Sequence, residues 1–234
     1  MCRMGLYIYL FFSARSRRQL LKAEKQLGDT RFGKGLYISK LAFNVAVMAR
    51  MGTAFTRRMV RRAVLKGEEH LETLYKTHNT GVIASFHYGP WELIAEVLSE
   101  NGFRIAALVT KRPGHLLDRY FVAMRRRSGL RIVHNLKQAA LLARRGYFMG
   151  SLYDRTLRGK SDEMNFPYPD YQTSRLPKIL AARIRKPIVP IICRIIKKRL
   201  EVNIGSPGLS VDDMRDFFSP FFSQTPFEWL VWGD

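Results

Sequence analysis

Along residues 81–204, short apolar runs alternate with stretches in which apolar positions recur every three or four residues. The two periods predict strands and helices in turn. Strands are expected over 81–87, 105–109, 131–133, 147–153, 187–196 and 200–204, and helices over 91–100, 116–127, 136–145 and 176–184. Residues 197–199 (Lys-Lys-Arg) form the turn of the one hairpin, and a Gly/Pro/Asp-rich loop spans about 156–173. This order predicts an α/β fold with a mostly parallel central sheet flanked by helices on both faces.

Residues 1–80 read differently. An apolar segment with few charges covers 36–48. From 55 to 75, Met59, Val60, Ala63, Val64, Leu71, Leu74 and Tyr75 recur at helical spacing, with Arg57, Arg58, Arg61, Arg62 and Lys66 among them. A basic amphipathic helix is expected there, serving either as a membrane-surface element or as a packed helix with a solvated face. The predicted organisation is a basic helical N-terminal region over 1–80, packed on an α/β domain over 81–234.

Charge sharpens that picture. The 234 residues carry a net charge of +21, which points to a polyanionic partner: nucleic acid, an anionic membrane surface, or acidic substrates such as phosphorylated lipids and acyl carrier protein. Two cysteines make no disulfide framework, and Cys193 in an apolar run is expected to be a buried, inert thiol in a reducing compartment. No run reaches the length of about 18 apolar residues that suggests a spanning helix.

The candidate chemistry lies at Phe86-His87-Tyr88-Gly89-Pro90-Trp91-Glu92. His87 ends a predicted strand, the Gly-Pro pair turns the chain, and Glu92 enters the next helix. That geometry can set the Glu92 carboxylate beside one imidazole nitrogen and leave the other to remove a proton. Lys111, Arg112 and Asp154 follow two further strands, so three strand ends converge where open sheets of this kind bind ligands.

His87 to Glu92 resembles the His-x4-Asp/Glu signature of the glycerolipid and lipid A acyltransferases, closest to the form found in the late lauroyl and myristoyl acyltransferases. The likeness extends over roughly 81–232. Thr110-Lys111-Arg112-Pro113, followed by Leu117-Asp118 and Arg125-Arg126-Arg127-Ser128-Gly129, is similar to a Tyr-Arg-Pro…Leu-Asp…Arg-x-Arg block, and Asp154-Arg155 stands where the family has Asp-Gln. Phe166-Pro167, Thr173-Ser174 and the run 180–190 resemble further family segments. Residues 228–232 resemble the closing Gln-Trp-x-Trp segment, without its His-Arg sequel, so a truncated or a diverged end is expected. The resemblance implies a glycerolipid acyltransferase-like fold and acyl transfer from acyl carrier protein or coenzyme A thioester to a glycolipid hydroxyl, with no cofactor or metal. It implies His87, Glu92 and Arg112 as catalytic groups, and Trp91, Lys111, Asp154, Arg155, Phe166 and Ser174 as substrate contacts. The expected place of work is the cytoplasmic face of a bacterial inner membrane, peripheral or monotopic.

Competing readings are weaker. The lysophosphatidic acid branch's Phe-Pro-Glu-Gly-Thr-Arg motif is absent. His70, His78, His115 and His134 have no tuning neighbours, and Ser85, Ser151 and Ser174 lack a nucleophile elbow. Arg125-Arg126-Arg127 reads first as a solvated helix end and second as a cluster attracting phosphate or carrier protein. The basic charge alone suits a nucleic-acid-binding protein, but no binding motif accompanies it and no nucleic acid is expected as partner. A degenerate acyltransferase serving as a binding protein is the remaining alternative.

Overall fold

A computed structural model of the chain describes residues 34–109, 116–154, 161–167, 171–208 and 210–230. In chain order the elements are α1 (Lys34–Met48), α2 (Ala54–Val60), β1 (Val64–Lys66), α3 (Glu68–His78), β2 (Val82–Ser85) and α4 (Leu93–Glu100). They continue with β3 (Arg104–Leu108), α5 (Leu116–Arg127), β4 (Arg131–Val133), α6 (Leu136–Arg144), β5 (Tyr147–Leu152), β6 (Ser161–Asn165) and β7 (Gln172–Ser174). The last are α7 (Leu176–Ile184), β8 (Ile188–Ile196), β9 (Arg199–Ile204), α8 (Val211–Gln224) and a 3-10 turn over Pro226–Glu228.

Seven strands form one sheet in the order β1-β9-β8-β2-β5-β3-β4, parallel throughout except at the β8–β9 hairpin. The fold is the predicted α/β architecture. β2 sits at the centre, and all four of its residues are buried, because helices cover both faces. Its alternation splits the core in two. Val82 and Ala84 face a layer closed by α1, α6, α7 and α8 through Leu41, Ala139, Leu180 and Phe218. Ile83 faces a second layer with Leu71, Leu93, Val97 and Met124 from α3, α4 and α5.

Three segments differ from expectation. The single helix expected over 55–75 is instead α2, β1 and α3. Val64 to Lys66 pairs in parallel with Glu201 to Asn203 at the sheet edge, and Gly67 (φ 80°) makes the turn into α3. A Cβ at Gly67 would lie 2.1 Å from the Ile204 carbonyl oxygen, so the chain can pass there only as glycine. The helical spacing of apolar residues survived across the break because Val60, Leu71 and Leu74 of two separate helices enter the same core. The expected loop at 156–173 contains the antiparallel pair β6–β7. Residues after 205, given no element from sequence, form α8, whose N-terminus Ser210 caps by accepting a hydrogen bond from the Asp213 N–H. Cys193 is a buried free thiol, its pKa driven up by burial.

Candidate active site

β2 and β5 are parallel neighbours in a register that sets Ser85 opposite Leu152. Two residues beyond each lie His87 and Asp154, at the carboxyl ends of adjacent strands. The Asp154 carboxylate is fully buried and accepts three hydrogen bonds. The His87 backbone N–H donates to Oδ2 at 2.7 Å, the Trp229 indole Nε1–H donates to Oδ2 at 2.8 Å, and His87 Nδ1 lies 2.7 Å from Oδ1. Burial by itself pushes this carboxyl up. The His87 charge, with the hydrogen bonds from the His87 ring, the Trp229 indole and the His87 backbone, outweighs it and holds the group below its ordinary value.

An ionised carboxylate only accepts, so Nδ1 carries the proton. Nε2 is therefore the unprotonated nitrogen of the neutral ring, and it has no hydrogen-bond partner among the described residues. The His87 side chain keeps 12% of its surface exposed, enough for contact from outside. Trp91 stands edge-on to the imidazole at 4.8 Å between ring centroids and covers one side of it. The arrangement is that of a general base: oriented at one nitrogen, open at the other, with a buried counter-charge for the imidazolium.

A strip from the end of the chain holds this pair. Tyr88 and Trp229 form an antiparallel bridge, in which Leu230 N–H donates to the His87 carbonyl at 2.8 Å and Gly89 N–H to the Glu228 carbonyl at 2.9 Å. Gly89 is at φ 57°, and a Cβ there would fall 2.2 Å from the Cys193 carbonyl oxygen. The turn can therefore press against β8 only without a side chain. Helix α1 clamps the strip from outside. Asn44 Nδ2 donates to Glu228 Oε2 at 2.7 Å, Lys40 Nζ lies 3.1 Å from Glu228 Oε1, and the Tyr37 hydroxyl donates to the Leu230 carbonyl at 3.2 Å. On the other side, the Tyr171 hydroxyl donates to the Asp154 carbonyl at 2.8 Å.

The expected sites redistribute accordingly. His87 and Trp91 lie together at the strand end. Glu92 does not orient the imidazole. It is buried, and it takes the guanidinium of Arg125 from α5 in a bidentate pair, with Nε to Oε2 at 2.9 Å and a second, shorter bond from the other nitrogen to Oε1. Arg125 is correspondingly drawn in rather than solvated, with 19% of its side chain exposed. Asp154, expected to touch substrate, is sealed behind His87 and takes the role expected of Glu92. Ser174 is also buried; its hydroxyl accepts from Leu176 N–H at 3.2 Å, a local turn contact at the entry to α7. Phe166 packs edge-on against Phe86 at 5.6 Å and Phe222 at 5.1 Å, inside the aromatic core beneath the site. Lys111, Arg112 and Arg155 lie outside the described residues.

Trp229 is the site residue that sequence reasoning missed as a functional group. Its signal was the tryptophan of the segment 228–232, since a buried indole N–H needs an acceptor. Among the described residues, no group of three or more His, Cys, Asp or Glu side chains converges to hold a metal ion.

A model of the bacterial lipid A biosynthesis acyltransferase family matches residues 38–211, most of the chain. The match takes in most of α1, all of β1, and both His87 and Asp154. No match is found among curated proteins.

Proposed function

The chain belongs to the bacterial lipid A biosynthesis acyltransferase family and is an acyltransferase, and we propose that it moves an acyl chain from a thioester to a glycolipid hydroxyl at a membrane surface. The donor in this reading is acyl carrier protein or coenzyme A thioester, and the acceptor is lipid A-like. The observation that carries it is the His87–Asp154 pair, with Nδ1 tied to a buried carboxylate and Nε2 open.

In this reading the acceptor hydroxyl donates its proton to Nε2 as its oxygen attacks the thioester carbonyl. Asp154 keeps Nδ1 protonated and balances the imidazolium that forms. The tetrahedral oxyanion is met by Arg112 or by backbone N–H groups, which act where charge develops. The C–S bond then breaks, and the leaving thiolate recovers the proton from Nε2. Carbon exchanges one bond to sulfur for one to oxygen, and no enzyme-bound acyl group is required. In this reading the work is done at the cytoplasmic face of a bacterial inner membrane, with the protein peripheral or monotopic. Among the described residues no helix is long and apolar enough to cross a membrane.

The test is turnover by His87→Ala with purified thioester donor and glycolipid acceptor. A loss of about 10²–10⁴-fold is expected of a general acid–base group. Full turnover by a folded His87→Ala protein would remove His87 from the mechanism.

A further inference from the structure

Where α2 meets the tip of the β8–β9 hairpin there is a groove of about 630 Å³. Five cations line it: Arg58 and Arg62 from the α2 segment, and Lys197, Lys198 and Arg199 from the hairpin. All five are exposed, and none is ion-paired to a carboxylate among the described residues. Packing like charges together is unfavourable unless a counter-charge arrives from outside.

Apolar side chains accompany them. Phe55, 47% exposed, and Met59 line the same groove, and Ile196, 37% exposed, ends β8 beside the lysines. Arg50 adds another guanidinium 5.3 Å from the Phe55 ring centroid. A merely solvated basic face gains nothing from holding Phe55 and Ile196 in water. Cations mixed with exposed aromatic and aliphatic groups suit the headgroup layer of a bilayer, where long basic side chains keep their charge at the phosphates and apolar groups sink below.

The hairpin turn is a second, independent sign. Ile196 pairs with Arg199, leaving a two-residue loop in which Lys197 (φ 47°) and Lys198 (φ 66°) are both left-handed. Asn-Gly fills such a turn with less steric conflict. Two lysines there set two ammonium groups at the tip against the local backbone preference.

The tip is also well placed. β8 outruns β2: Ala84 pairs with Pro190, Gly89 packs on the Cys193 carbonyl, and the strand continues to Ile196. The turn stands four residues past the level of Gly89, roughly 13 Å on, at the same end of the sheet as His87.

We propose that the groove between α2 and the β8–β9 turn docks the protein onto a bilayer of anionic lipids, with lipid phosphates among its cations and Phe55 and Ile196 in the headgroup layer. Docking there turns the carboxyl end of the sheet, and His87 with it, toward the surface that carries the acceptor. This deepens the membrane reading above and rests on it for the lipid nature of the acceptor, but docking is measured without turnover.

The experiment compares co-sedimentation of the whole protein with phosphatidylcholine vesicles and with vesicles of phosphatidylcholine and phosphatidylglycerol in equal parts. Wild type should prefer the anionic vesicles, and salt should weaken the preference. Lys197→Asn/Lys198→Gly supplies the residues the turn favours, so it should melt no lower than wild type while binding anionic vesicles roughly thirtyfold more weakly, about fivefold per cation. Arg58→Gln/Arg62→Gln, at exposed positions on α2 and in the turn after it, should weaken binding similarly. His87→Ala should bind as wild type does, so a failure of the catalytic reading leaves this test intact. Equal binding to both vesicle types, or undiminished binding by both double variants, overturns the proposal. So does a loss confined to binding of acidic acyl carrier protein, which would assign the groove to a protein partner.

Discussion

Asparagine at position 154 would keep the shape of the side chain and change the chemistry at one atom. Asp154 accepts from three donors at 2.7, 2.7 and 2.8 Å, with nothing of it exposed. An amide has one acceptor oxygen. Placed at Oδ2, it still receives the His87 backbone N–H and the Trp229 indole, and its NH₂ then faces Nδ1. The flipped orientation would set NH₂ against two N–H donors in a dry site, so the first is favoured. With NH₂ donating, Nδ1 must accept, and the ring proton moves to Nε2, the nitrogen required as base. The counter-charge for the imidazolium is lost in the same step. A hydrogen bond to a charged group is worth about 1.5–3 kcal/mol, and a wrong tautomer of this kind costs about 10⁴-fold in a serine-protease triad. Asp154→Asn should therefore lower kcat by roughly 10³–10⁴-fold, with a stability loss of only about 1–3 kcal/mol. Initial rates of acyl transfer and a thermal melt measure the two separately. A folded Asp154→Asn protein within about tenfold of wild-type kcat would refute the tautomer argument. Were Glu92→Gln the variant that lost turnover, the orienting role would return to Glu92.

Trp229→Phe retains an aromatic ring against Tyr171 and Phe222 but removes the indole donor to Asp154. It should lower kcat about 10-fold or more and move any acid limb of the pH–rate profile upward, an effect that loss of packing alone would not produce. The depressed Asp154 pKa makes acid destabilising: its contribution is complete above the ordinary value of 3.8 and is lost as pH falls through the lower folded value. Asp154→Asn should flatten that part of the stability–pH curve, measured by denaturant melts at stepped pH. Arg125→Met leaves the buried Glu92 carboxylate without its guanidinium and should cost about 3 kcal/mol, with Glu92→Gln/Arg125→Met recovering part of it in the same melts.

How much of the fold was legible depended on whether the local pattern had one physical meaning. β2, β4, α5 and α7 were readable because an apolar run bounded by turn residues has few alternatives. β1 was not. Val64-Leu65-Lys66 continues the helical spacing of its flanks, and only pairing with β9, more than 130 positions later, makes it a strand. The same holds for β6 and β7, whose residues apart from Met164 are polar and whose order comes from each other and from the Ser174 N–H bonded to the Tyr153 carbonyl. α8 received no element from sequence; it starts at the Ser210 cap and carries Pro220 in its interior, a residue that disfavours helix there.

The site divides along the same line. His87 was visible because a strand, a Gly-Pro turn and a helix start are local features, and so was the idea that it needs a carboxylate. Sequence proximity suggested Glu92, five residues away. The sheet supplies Asp154, sixty-seven residues away, because parallel register places residues beyond adjacent strand ends side by side whatever their separation in the chain. Both carboxylates are buried, and each required a cation or donor there; Arg125, arriving on α5, occupies Glu92 and leaves His87 to Asp154. Trp229 completes the assignment from the far end of the described chain, held by a bridge to Tyr88 and by α1 through Glu228. Helix α1 fastens the strip behind the Asp154 carboxylate, through Tyr37, Lys40 and Asn44, and so supports the candidate site from outside the sheet. It follows that loosening Asn44 or Lys40 should soften His87 positioning without touching any residue at the strand end.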